Sequence, residues 1–388
     1  MTSLKLTLPV LSILLLLKNS VQQKFPYDLL KEIDGQTKEN YVLSVFNIEL
    51  ILYEIYASKA IENNTVLERN FKTGLGGPEE TNKLLEWGLK YKNASTATFV
   101  MASKVVVPQD QPLAKKLSII SDLLMRSAKR SDVDKDIKVS KDLNSWLAEK
   151  VDPIRAAFVE LQKNNSKLSN KIAAISGTLV TPLWRPPFKS LLNRYFVKKY
   201  GPEYPNMPLC VPMMHSLYSL RTMATDEATG IFIPFSATDI GMLILLPREG
   251  VSCQDIIKNL KTQTNKKLSD PRDINLILPI FKVAFEQDIR NALAKTDVGS
   301  IFKDSALDSK TNIEIDEFLV KTVVQFKPNN YLAKVEDINT KKADKFEVNR
   351  AFVFVIKDKD SIYAVGRVEQ LDGLAEKVKC PREYTGKI

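Results

Sequence analysis

The chain has 388 residues, 44% of them hydrophobic, and a formal net charge of +10. Its apolar content suffices for one large domain or two ordinary ones, and amphipathic stretches early with strand-dense sequence late argue for an α+β fold. Three cysteines, Cys210, Cys253 and Cys380, are too few and too far apart for a disulfide framework or a metal cluster, and one histidine, His215, leaves little for nucleophilic catalysis.

Lys5 precedes an apolar run over 6–17, followed by polar residues. The run is too short to span a bilayer and reads as a secretory signal peptide, residues 1–20, with cleavage around 18–23. A secretory route gives meaning to three glycosylation sequons, at Asn63, Asn93 and Asn164. No later stretch is apolar enough to cross a membrane. Residues 25–33 carry apolar side chains at helical spacing, and 40–60 read as a short strand entering a buried helix. The run GLGG at 74–77 lacks the Lys-Ser/Thr of a phosphate loop. Followed by Pro78, Glu79 and Glu80, it reads as a helix start. Helices are expected over 80–91, 112–127 and 139–150. Lys115, Lys116, Arg126, Lys129 and Arg130 form the densest basic group, but Asp122, Asp132 and Asp134 are interleaved. A solvated helical face accounts for them, with weak glycosaminoglycan binding as the alternative.

From residue 172 the texture changes to strands. One is expected over 173–188, and others at 313–326, 352–356 and 362–368, all rich in β-branched and aromatic residues. Residues 327–345 are lysine-rich and aperiodic, with Pro328, Asn329 and Asn330 as turn residues, and read as an exposed loop between buried strands. Cys253 reads as a buried thiol. His215 reads as a strand-end or surface histidine rather than a base. No G-x-S-x-G elbow, H-E-x-x-H helix or paired C-x-x-C occurs, so no catalytic residue, metal site or cofactor is expected. Nucleic-acid binding lacks a fold signature despite the basic charge.

Five phrases in one order carry a resemblance to a known family: VPMM at 211–214, IPFSATDIGMLILLP at 233–247, LILPIFKV at 276–283, FEVNRAFVFVI at 346–356 and AVGRV at 364–368. In these the chain resembles the serpins. The resemblance implies a serpin domain over 21–372, with 373–388 as a carboxyl-terminal tail, and no enzyme activity. It also implies helices packed around a large mixed central β-sheet, two smaller sheets and an exposed reactive-centre-like loop. A serpin inhibitor lets its target protease cut the loop, then inserts the loop into the sheet before the acyl-enzyme is released. The 173–188 strand is similar to the family's long central strand, with Trp184 where the loop would first insert.

The chain departs from the family pattern at the parts that move. Ser44 matches the family's first buried serine, but Val45 replaces the proline and Asn47 the second serine. The family's buried asparagine falls on Ser176, and its histidine on Val320, so the usual hydrogen-bond network beneath the opening strands cannot form. The hinge falls on Lys327, Pro328, Asn329, Asn330 and Tyr331, where the family has a glutamate-glycine-threonine step before small residues. Proline removes a donor and fixes φ, and insertion of this loop would bury at least one of Lys334, Glu336 and Asp337. The expectation is a secreted, monomeric, non-inhibitory serpin that binds or carries an unidentified protein or small ligand, or acts as a decoy. The alternative is an inhibitor of a trypsin-like serine endopeptidase, with Lys341-Lys342 as bait. Loop solubility is the ordinary account of that pair.

Overall fold

The computed structural model describes residues 25–57, 99–106, 171–185, 187–198, 207–236, 238–299, 302, 314–329, 342–371 and 380. The signal peptide expected over 1–20, the helices expected over 80–91, 112–127 and 139–150, and Asn63, Asn93 and Asn164 lie outside the described residues.

The described chain opens with α1 (Phe25–Gln36), β1 (Tyr41–Leu43) and α2 (Val45–Ala57), followed by β2 (Phe99–Val106) and β3 (Lys171–Val180). A run of strands follows: β4 (Ser190–Lys198), β5 (Met207–Ala224), β6 (Ala228–Pro234) and β7 (Gly241–Pro247). Helices α3 (Cys253–Lys258) and α4 (Leu260–Asn265) lead to β8 (Arg272–Pro279), β9 (Phe281–Asp288) and the single turn α5 (Arg290–Leu293). The chain then runs through β10 (Glu314–Phe326), β11 (Asp344–Glu347), β12 (Phe352–Lys357) and β13 (Ile362–Val368).

The strands make two sheets. One has nine strands, in the order β1-β13-β12-β7-β6-β5-β8-β11 with β4 paired to β5, and the other has four, β2-β3-β10-β9. The two smaller sheets expected from the resemblance are joined here through β5. Its first part pairs with β4, Met213–Leu220 pairs with β8, and Arg221–Ala224 pairs with β6. In the four-stranded sheet β3 and β10 are parallel neighbours, each flanked by an antiparallel strand.

Alternation explains why the late strands read as unbroken apolar runs. Along β12, Phe352, Phe354 and Ile356 face a core shared with Val180, Val324 and Phe326 of the four-stranded sheet. Val353 and Val355 face the other way, onto a core with α1, α2 and α3. A strand covered on both sides has no polar face to betray its period, and each fully buried Phe, Leu or Ile contributes about 1.5–3 kcal/mol. Gly366 of β13 is required by this packing, since a Cβ there would lie 2.2 Å from Phe354 Cζ.

The sequence boundaries shift where proline or pairing intervenes. The strand expected over 173–188 ends at Val180, and Trp184 forms an isolated bridge with Phe235. Pro182 cannot donate to a ladder, which stops the strand short. Asp344 and Lys345 leave the expected loop and join β11, paired in parallel with Ile274 and Asn275. Cys253 is buried at the start of α3 and forms no disulfide, whereas Cys210 is bonded to Cys380 and fastens that point of the tail to β5.

Candidate functional site

The sequence placed its functional residues around the seam between β3 and β10 and the loop that leaves β10. The two strands pair directly and in parallel, from Lys171 opposite Glu314 to Val180 opposite Val324. Any strand entering between them must first break this ladder.

Beneath the seam lies α2. Ser44 is buried, its backbone N–H donates to Thr322 Oγ1 of β10 at 3.3 Å, and its hydroxyl donates to the Tyr363 carbonyl at 3.3 Å. Asn47, fully buried, donates from Nδ2 to the Gly177 carbonyl of β3 at 3.2 Å and contacts Thr178 Oγ1 at 3.4 Å. One helix start therefore binds both strands and staples the seam. Val320 and Ser176, the positions matched to the family's histidine and asparagine, are cross-strand partners, and both are buried. Among the described residues the Ser176 hydroxyl has no hydrogen-bond partner, nor has that of Ser103 opposite it on β2. The sequence signalled Asn47 only as a departure from serine; its longer amide is what spans the gap to β3.

At the upper end of the seam, Trp184 is 1% exposed and packs on Phe188, Phe235 and Phe326 with ring centroids 5.4, 5.7 and 5.4 Å away. Its indole Nε1–H donates to the Lys327 carbonyl at 2.8 Å. Its backbone N–H donates to Asn329 Oδ1 at 3.0 Å, and Asn329 Nδ2 donates back to the Trp184 carbonyl at 3.3 Å. The Asn329 side chain thus imitates a neighbouring strand at the mouth where the loop would enter. Pro328, between the two bonded residues, has no N–H to offer a ladder. Asn330, Tyr331 and Lys341 lie outside the described residues.

Charge also ties β10 to its other neighbour. Lys321, with a 5% exposed side chain, meets Glu286 of β9 at 2.7 Å, directly across the ladder. The pair is asymmetric: the lysine end is buried, while the Glu286 side chain is 29% exposed and reaches water. At the far end of the loop Lys342 is exposed in the turn before β11, and Arg272 holds Asp344 at 2.7 Å.

His215 lies inside β5 rather than at a strand end. Its Nε2–H donates to Asn275 Oδ1 of β8 at 2.7 Å, and Nδ1 lies 3.0 Å from Ser190 Oγ of β4. Nucleophile, base and orienter are the right types for a hydrolytic relay, but Ser190 is 7% exposed. The trio is a cross-tie of three adjacent strands. Among the described residues no group of His, Cys, Asp and Glu could hold a metal ion, and no helix is long and apolar enough to cross a membrane.

The family profile described as Serpin (serine protease inhibitor) matches residues 20–371. A curated relative, antichymotrypsin-2 of Bombyx mori, is 21% identical over 346 residues, 82% of this chain and 88% of the relative. Among solved structures, Serpin48 of Tenebrio molitor superposes with a TM-score of 0.72 at 18% identity, covering 91% of this chain and 98% of that one. Thyroxine-binding globulin, solved in complex with thyroxine, gives 0.70 at 17% identity with the same coverage, 91% and 98%. At these identities the structural likeness speaks for fold.

Proposed function

We propose, from the premise that this chain belongs to the serpin family, that it is a secreted member that does not trap proteases and acts by binding a partner on its native scaffold. Serpins generally inhibit serine proteases, and trapping requires the cut loop to enter between β3 and β10. The observation that carries the proposal is the occupied mouth of that seam: both backbone hydrogen-bonding groups of Trp184 are taken by the Asn329 amide. Entry would break these bonds, and Pro328 would supply one residue without a donor. The staple of Ser44 and Asn47 adds to the same resistance.

The apolar run at 6–17 supports secretion, and so does the Cys210–Cys380 disulfide, since such bonds persist in oxidising compartments. A binding role has a precedent of scaffold in the thyroxine complex of thyroxine-binding globulin.

Thermal unfolding before and after limited proteolysis within 330–341 tests the proposal. An unchanged unfolding temperature is expected, and a large rise on cleavage would overturn it. The second reading, an inhibitor of a trypsin-like protease, draws on the exposure of Lys342 beside an anchored β11. It requires a denaturant-resistant complex with trypsin, formed through Lys341-Lys342.

A further inference from the structure

A sheet can still bond at its edges, and charge or shortness usually guards them. Here β11 carries Asp344, Lys345 and Glu347, β9 exposes Lys282 and Asp288, and β1 is three buried residues. β4 has neither guard. It pairs with β5 alone along its whole length, its charges are Arg194 and the terminal Lys198, and Leu191 is 45% exposed.

The prolines of β5 reveal which way β4 turns its backbone. Pro208 lies opposite Val197 and Pro212 opposite Asn193, and neither proline has an N–H to offer. These are the pairs whose backbone groups point away from each other. Two bonds agree: the Val197 N–H donates outward to the Asn349 carbonyl at 2.8 Å, and the Pro212 carbonyl accepts from the Ile280 N–H at 3.0 Å on the far side. By alternation Leu191 and Asn193 also direct N–H and C=O outward. Arg194 Nη1 reaches the Asn193 carbonyl at 3.3 Å, which leaves that oxygen a second lone pair.

We propose that β4 is a self-association edge, occupied by β4 of a second copy of this chain, antiparallel about a two-fold axis at Leu192. Leu191 of each copy exchanges backbone hydrogen bonds with Asn193 of the other. The two Leu192 side chains, each partly buried at the margin of a core, meet on the axis in the non-hydrogen-bonded pair, where side chains come closest. Arg194 lies opposite Ser190 of the other copy, so no like charges face each other across the ladder. An edge that matches itself in register and charge selects a second copy as its occupant, and one such contact closes a dimer. The inference sets a dimer against the monomer expected from the sequence and is independent of loop insertion.

Sedimentation of the intact chain over a concentration series tests it, with a monomer–dimer equilibrium expected. Leu191→Lys/Asn193→Lys and Leu191→Asp/Asn193→Asp each bring like charges face to face at both hydrogen-bonded pairs, and each should weaken association by at least about tenfold. An equimolar mixture of the two variants sets opposite charges together and should associate again. A monomer at every concentration, dimerisation untouched by either variant, or a mixture that stays monomeric overturns the proposal. Should the variants fail to fold, hydrogen exchange on the wild-type chain decides. The Leu191 and Asn193 amides are expected to exchange more slowly as concentration rises. Exchange independent of concentration overturns the proposal: if slow, another part of the same chain covers the edge, and if fast, nothing does.

Discussion

The side-chain amide of Asn329 stands where a strand would stand beside Trp184, accepting its backbone N–H at 3.0 Å and donating to its carbonyl at 3.3 Å. The contact spans 145 residues of sequence and closes the seam at the point where the loop leaves β10. Replacing the amide strips two partners from a backbone already sealed under aromatic rings. Asn329→Ala is expected to lower stability by about 1–3 kcal/mol, the cost of leaving such groups unsatisfied. It should also quicken proteolysis within 330–341, and a denaturant midpoint with a cleavage time course checks both effects.

Asn47 works within the same seam, at Gly177 and Thr178 of β3. Asn47→Ala removes the donor to Gly177 and the contact with Thr178, with an expected loss of about 1–3 kcal/mol. Asn47→Ser is too short to span the gap and should resemble the alanine variant. Faster amide hydrogen exchange in β3, with exchange in β13 unchanged, is the signature of a loosened seam rather than a general loss of stability.

Glu49 of α2 is buried, and burial pushes its carboxyl up to about 8. The folded state therefore holds a proton that the unfolded state releases near the ordinary value of 4.5. Below that value both states are protonated and Glu49 costs nothing. As pH rises the unfolded chain gains ionisation that the folded chain resists, so stability falls until about pH 8 and then levels off. The expected fall is on the order of 5 kcal/mol across the window. Glu49→Gln should flatten the pH dependence and stabilise the protein at pH 8, which unfolding temperatures measured across the range would reveal.

Arg367 and Asp34 form an ion pair with side chains only 4% and 2% exposed, joining β13 to α1. The guanidinium also donates to the carbonyls of Thr37 and Glu39 and lies 5.2 Å over the Tyr41 ring. Burial raises the Asp34 carboxyl pKa, against the pull of Arg367. Arg367→Met leaves that carboxyl in the core without its cation and is expected to cost about 3–5 kcal/mol, whereas Asp34→Leu with Arg367→Met should recover most of it. A double-mutant cycle in denaturant separates the pair from its surroundings.

By itself the sequence determined the architecture at its late strands. Residues 352–356 and 362–368 are apolar because both faces are covered, and a composition that leaves no polar face can be read without knowing what covers it. It also set the expectation, through the resemblance, that the parts which move in an inhibitory serpin are altered, since Pro328, Val320 and Ser176 are visible one position at a time. What replaced them was decided only by the tertiary structure. Asn47 finds Gly177 across 130 residues, Asn329 finds Trp184 across 145, and Cys210 finds Cys380 across 170. Periodicity reports which side of an element is buried, but a hydrogen bond depends on the register of two distant strands to within a fraction of an ångström. That register is set by the joint packing of both cores.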